Sequence, residues 1–112
     1  METITKTFNY LFVKKKDYFV KINFSEIKWV EAYGSYSNIH LENGHFITLS
    51  FNLSEIAKKL NHPMFIRVHR SYLINIEHVN AFVGNMICIG ETRLPLSKQH
   101  RKEVLLRFNI LK

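Results

Sequence analysis

The stretch Phe65-Ile66-Arg67-Val68-His69-Arg70-Ser71-Tyr72-Leu73-Ile74-Asn75 joins two apolar ends to a polar middle. Phe65-Ile66 and Tyr72-Leu73-Ile74 read as strand, rich in aromatic and β-branched residues that suit a pleated, half-buried surface. Between them Arg67, His69, Arg70 and Ser71 present two guanidinium forks, an imidazole and a hydroxyl. A guanidinium matches a phosphate or a guanine edge with two parallel donors, and His and Ser add shorter donors and acceptors beside it. The competing reading makes Arg67 a structural partner for Glu31 or Glu77. Three cationic or imidazole groups within four residues favour a ligand.

Outward from this segment, the charge is unevenly spread. The 112 residues carry sixteen Lys and Arg against nine Asp and Glu, a net charge of +7. No acid occurs from residue 57 to 76, where Lys58, Lys59, Arg67 and Arg70 fall, nor from 92 to 102, where Arg93, Lys98, Arg101 and Lys102 fall. Solubilising surfaces intersperse the two signs, so separate acid-free windows point to an anionic partner. A hydrophobic fraction of 46 % argues against disorder, and the length suits one domain spanning residues 1–112. The lone cysteine, Cys88, sits in an apolar run and reads as a buried thiol. A single cysteine builds no internal disulfide framework, which fits a reducing compartment. The start, Met1-Glu2-Thr3-Ile4-Thr5-Lys6, is too polar for a signal peptide, and no apolar run reaches membrane-spanning length. A cytoplasmic protein without a membrane partner is expected.

Several chemistries are disfavoured. His40, His45, His62, His69, His78 and His100 show no zinc-site spacing with cysteine, so no metal and no cofactor is expected. Ser71 beside His69 lacks a glycine-framed elbow, and the only aspartate is Asp17, so no enzyme is expected. The same scarcity of aspartate leaves no acidic cluster for a phosphate-accepting receiver domain in this chain.

Taken in order, Tyr10-Leu11-Phe12-Val13 and Tyr18-Phe19-Val20-Lys21-Ile22 predict two strands joined by Lys14-Lys15-Lys16-Asp17, a solvated turn or a secondary phosphate contact. Ser25 is a candidate cap for one helical turn before the strand Ile27-Lys28-Trp29-Val30-Glu31-Ala32. After a bend at Gly34, Asn43-Gly44 marks a hairpin. A two-residue loop there pairs Glu42 with His45, whereas a three-residue loop puts Ile39, Leu41, Ile47 and Leu49 on one face. Leu53, Ile56, Ala57 and Leu60 recur at helical spacing, with Asn52 as N-cap and Asn61 as a candidate left-handed residue at the end. Val79-Asn80-Ala81-Phe82-Val83 and Met86-Ile87-Cys88-Ile89 predict a further hairpin around Gly84-Asn85. Thr92-Arg93-Leu94-Pro95-Leu96 returns as a strand whose proline belongs at an edge or end. Ser97 then caps a last helix striped by Val104, Leu105 and Phe108. Lys98, Arg101 and Lys102 crowd its first turn, where the helix dipole is already positive and an external anion would relieve the conflict.

The order of Trp29-Val30-Glu31-Ala32, Gly34-Ser35-Tyr36, Asn43-Gly44, Leu53-Ser54-Glu55-Ile56, the stretch from Phe65 to Asn75, and Leu94-Pro95-Leu96-Ser97 resembles the LytTR family. These are DNA-binding output domains of bacterial response regulators in two-component systems, and the resemblance runs from about Phe12 to Phe108. It implies a mainly β fold of elongated antiparallel sheets with two short helices. It also implies sequence-specific binding of double-stranded DNA for transcription regulation, through three loops that enter successive major grooves. Carried over, the middle loop is Arg67, His69, Arg70 and Ser71, and the last loop is Ser97, Lys98, Gln99 and Arg101 with Lys102 beside it. The first loop is Gly34, Ser35, Tyr36 and Ser37. Expected partners are duplex DNA, a second copy on an adjacent repeat, and a receiver domain outside this chain. Two rivals are an RNA-binding module stacking bases on Tyr36 or Tyr72, and a basic protein-interaction module.

Overall fold

The computed structural model describes residues 7–112; the polar start at residues 1–6, read above as no signal peptide, lies outside them. Among the described residues, β1 (Tyr10–Lys15) pairs with β2 (Tyr18–Asn23) as a separate hairpin. A single 3-10 turn, Phe24–Glu26, leads into the central sheet of β3 (Ile27–Tyr33), β4 (Tyr36–Leu41) and β5 (Phe46–Leu49). Helix α1 (Leu53–Lys59) follows, then β6 (Phe65–His69) and β7 (Tyr72–Asn75) complete that sheet in the order β5-β4-β3-β7-β6. A second 3-10 turn, Ile76–His78, precedes β8 (Ala81–Val83), β9 (Met86–Ile89) and β10 (Thr92–Pro95), which form a third sheet. Helix α2 (Lys98–Leu105) closes the fold. Every pairing is antiparallel, and the described body measures 47 × 39 × 24 Å.

At β3 and β7 the central sheet is buried on both faces, because these two strands carry apolar residues at consecutive positions. On β3 and β7, Val30 lies opposite Leu73 and Trp29 opposite Ile74, and paired residues share a face. Val30 and Leu73 join Phe24, Ile27, Ile39 and Ile56 in one core, beneath α1 and the β1-β2 hairpin. Trp29 and Ile74 join Val68, Ile87, Leu94 and Val104 in a second core, beneath the third sheet and α2. Each fully buried aliphatic or aromatic side chain contributes about 1.5–3 kcal/mol. A slip of one residue in β3 or β7 would exchange the two cores' side chains, so the register is doubly specified.

The turn after β4 has three residues. His40 lies opposite Phe46 and Ile39 opposite Ile47, and the Leu41 N–H donates to the His45 carbonyl at 2.9 Å. Gly44, at φ +88°, takes the left-handed position that this loop demands. Leu41, Ile47 and Leu49 thereby pack with Ile39 on the first core. Helix α1 is capped as expected, with Asn52 Oδ1 accepting from the Glu55 N–H at 2.9 Å.

Three local expectations are corrected. The 3-10 turn begins after Asn23, whose N–H donates to Glu26 Oε1 at 3.1 Å, so Ser25 lies inside the turn and does not cap it. Asn61 is not left-handed, since Lys16 is the sole non-glycine residue at positive φ among the described residues. The strand expected from Val79 starts at Ala81, because Val79 ends the second 3-10 turn by donating to the Ile76 carbonyl. Pro95 ends β10, an edge strand of the third sheet, where a missing amide donor costs nothing in the ladder. Cys88 is buried in β9.

Candidate nucleic-acid interface

Strand β3 ends at Tyr33, β6 ends at His69 and β7 begins at Tyr72, so the turns Gly34-Ser35 and Arg70-Ser71 leave the central sheet at the same end. A hydrogen bond from the Ala32 N–H to the Ser71 carbonyl, 2.8 Å, ties the end of β3, just before the first turn, to the second turn. A second, from the Ser97 N–H to the Val68 carbonyl at 2.9 Å, fastens the start of α2 to β6. Residues separated by some thirty positions in either direction from the middle turn are thus gathered at one end of the sheet.

The middle turn is held from within. The register shifts between Arg67 and His69, so Val68 is inserted as a bulge and buried in the second core. Arg67 stays half-buried, its Nε–H donating to the His69 carbonyl at 2.8 Å and its Nη2 to the Arg70 carbonyl at 2.5 Å. Burial pushes its guanidinium pKa below the ordinary arginine value, though not out of the charged form at neutral pH. His69 Nδ1 accepts from the Ser71 N–H at 3.0 Å, so in the neutral ring Nε2 carries the proton and is left as the donor. The His69 ring also leans on Tyr72, with centroids 5.6 Å apart. Neither Glu31 nor Glu77 pairs with Arg67; Glu31 Oε1 is instead 2.6 Å from His40 Nε2.

At the third loop, Ser97 is the N-cap of α2, accepting from the His100 N–H at 3.3 Å, and its Oγ is 2.5 Å from His100 Nδ1. Lys98, Gln99, Arg101 and Lys102 are exposed over the first turn and a half, and no acid lies in that first turn. Asn85, in the turn between β8 and β9, accepts from Arg101 Nη1 at 3.1 Å, while its carbonyl accepts from the Leu96 N–H at 2.8 Å. Gly84-Asn85 was legible as a turn, but nothing local in the sequence connects Asn85 with Arg101.

The predicted site residues therefore divide by exposure. Arg70, Lys98, Gln99, Arg101, Lys102, Ser35 and Tyr36 are exposed, whereas Arg67, His69, Ser71 and Ser97 are half-buried and bonded within their own turns. Ser37 is withdrawn altogether: it is fully buried, with Oγ donating to the Phe51 carbonyl at 2.7 Å. Gly34, at φ +61°, makes the tight turn that leaves Tyr33 and Tyr36 opposite each other and exposed. Among the described residues no cluster of His, Cys, Asp or Glu could hold a metal ion, and no helix is long and apolar enough to cross a membrane.

Comparison with known proteins bears on the family and the fold. The family described as the LytTr DNA-binding domain matches residues 17–109. The CO-responsive transcriptional regulator RcoM of Rhodospirillum rubrum is 44% identical over 55 residues, 48% of this chain and 22% of that protein. The sensory transduction protein LytT of Bacillus subtilis is 35% identical over 66 residues, 54% of this chain and 27% of that protein. The chain thus matches about a quarter of the length of these relatives. Among solved structures, the LytTr DNA-binding domain of a Bacillus cereus protein superposes with a TM-score of 0.75, covering 90% of this chain and 97% of that one at 21% identity. That likeness concerns the fold alone.

Proposed function

As a member of the LytTr DNA-binding domain family, the chain is a DNA-binding domain of transcriptional regulators, and we propose that it reads a specific duplex sequence through the three gathered turns. The Ser97-to-Val68 hydrogen bond carries this reading, since it brings the basic start of α2 beside the Arg70 turn. Both can then face one duplex.

Arg70 is assigned to a base edge, guanine being the best match for a bidentate fork, and Lys98 or Gln99 to a second base. Arg101 and Lys102 neutralise phosphates, and His69 donates from Nε2 to a phosphate oxygen. Ser35 and Tyr36 meet the neighbouring groove, with a second copy on an adjacent repeat and a receiver domain outside this chain completing the regulator. Arg67 is given a different role from the one its charge suggests. With its Nε and Nη2 held by two carbonyls, it is a positioning residue for Arg70.

Selection of duplexes from a random pool, followed by titration of the selected site, tests the reading. Arg70→Ala is expected to weaken binding to that site by about 1–3 kcal/mol and to relax preference at one base position. An equal loss on selected and random duplexes would remove Arg70 from base reading. Arg67→Met is expected to cost about 1–3 kcal/mol of folding stability, because two carbonyls lose a charged donor. The same variant should blur sequence preference while leaving the salt slope of binding unchanged. A shallower slope with intact preference would instead make Arg67 a phosphate contact.

A further inference from the structure

The β1-β2 hairpin and the central sheet leave a cleft between them. It has a volume of about 860 Å³ and runs along β1, the end of β5 and the outer side of α1. Its floor and walls are apolar, from Leu11, Val13, Leu49 and Ile56 with Phe12, Phe19 and Phe51 at the mouth. Those three phenylalanines are 52%, 63% and 51% exposed. Soluble surfaces rarely leave such side chains together without a partner to cover them.

Two further observations define the partner. First, among the described residues β1 pairs with β2 alone and β5 pairs with β4 alone, so each strand that flanks the cleft has one edge of N–H and C=O groups with no described strand beside it. An exposed edge beside an apolar trough suits an added strand, whose backbone bonds the edge while alternate side chains enter the trough. Second, the rim is basic: Lys14 and Lys16 stand on the hairpin side and Lys58 and Lys59 on the helix side. The one acid there, Glu55, is occupied by the Asn52 cap.

We propose that this cleft docks an extended segment of a protein partner in which apolar and acidic residues alternate. The apolar side chains enter between Leu11, Val13, Leu49 and Ile56, and the carboxylates on the opposite face meet the rim lysines. A second copy of this chain is a poor occupant, because its own β1 ends in Lys14-Lys15 and would bring further positive charge to a basic rim. The site is distinct from the DNA-facing turns and does not rest on their assignment.

The test uses the intact chain and a short synthetic peptide alternating Glu with Ile or Val. Its counterparts carry Lys in place of Glu, or Pro at alternate positions. Backbone amide NMR and fluorescence anisotropy should show the acidic peptide bound, with shifts concentrated in β1 and β5. Lys58→Glu with Lys59→Glu, both at exposed positions, should weaken it about tenfold. The proline peptide should fail, since it lacks the donors for an added strand. Equal binding of the acidic and basic peptides, retained binding of the proline peptide, or displacement by duplex DNA would each overturn the proposal. Dimerisation of the free chain through the same amides would overturn it as well.

Discussion

Replacing Asn75 by aspartate is expected to lower the folding stability by about 3–5 kcal/mol at neutral pH. Asn75 is fully buried at the end of β7. Its Nδ2 donates to the carbonyls of Phe24 at 3.2 Å and Ile27 at 2.9 Å, and its Oδ1 accepts from the Glu77 N–H at 2.9 Å. The amide thus fastens the 3-10 turn, the start of β3 and the second 3-10 turn to one point. Aspartate has nearly the same shape but sets a carboxylate oxygen against two carbonyl oxygens. Either a buried charge keeps only the Glu77 N–H as donor while its second oxygen faces acceptors, or a proton must be taken up. The new carboxyl therefore has a folded-state pKa above its unfolded one, so the deficit is largest above the folded pKa and shrinks as pH falls from there towards the unfolded pKa. Urea denaturation of both proteins at pH 7 and at pH 5 checks this. A difference below about 0.5 kcal/mol at pH 7 would show that the amide bonds contribute nothing.

Phe24→Ala is expected to cost a similar amount, about 3–5 kcal/mol. Phe24 is 1% exposed and meets Phe65 edge-on at 5.3 Å and His62 at 6.0 Å. Its N–H donates to the Asn9 carbonyl, so it joins the β1-β2 layer to the central sheet. Removing the ring opens a cavity where three segments meet, and the cost grows with the volume left unfilled. The turns assigned to DNA leave the opposite end of β3, beyond Tyr33. The variant should then bind DNA with unchanged affinity per folded molecule at low temperature, while its denaturation midpoint falls. Preserved stability would mean that the site relaxes around the smaller side chain.

Much of this architecture is legible from alternation and punctuation. Trp29-Val30 and Leu73-Ile74 announce strands, and Asn52 and Ser97 announce two helix starts. What stays hidden is non-local or depends on burial. The loop at Asn43-Gly44 allowed two registers, and the choice came from where Leu41 and Leu49 pack, which no short window contains. Arg67 looks like Arg70 in sequence, because charge is visible there while a half-buried guanidinium closing on two carbonyls is not. Asn75 reads as the polar end of a strand, since the carbonyls it serves lie about fifty residues earlier. Ser37 carries no local mark of burial either; its acceptor is the carbonyl of Phe51.

The split between exposed and half-buried residues at the end proposed to face DNA has an engineering consequence. Arg70, Lys98 and Gln99 are exposed and belong to neither core, while Arg67, Val68 and Ser97 set the path of the backbone that carries them. On the proposed reading, randomising the first three positions is expected to recode the preference for one DNA site over another, at almost no cost to folding. Libraries that also vary the latter three would fill mostly with chains that no longer present a defined surface.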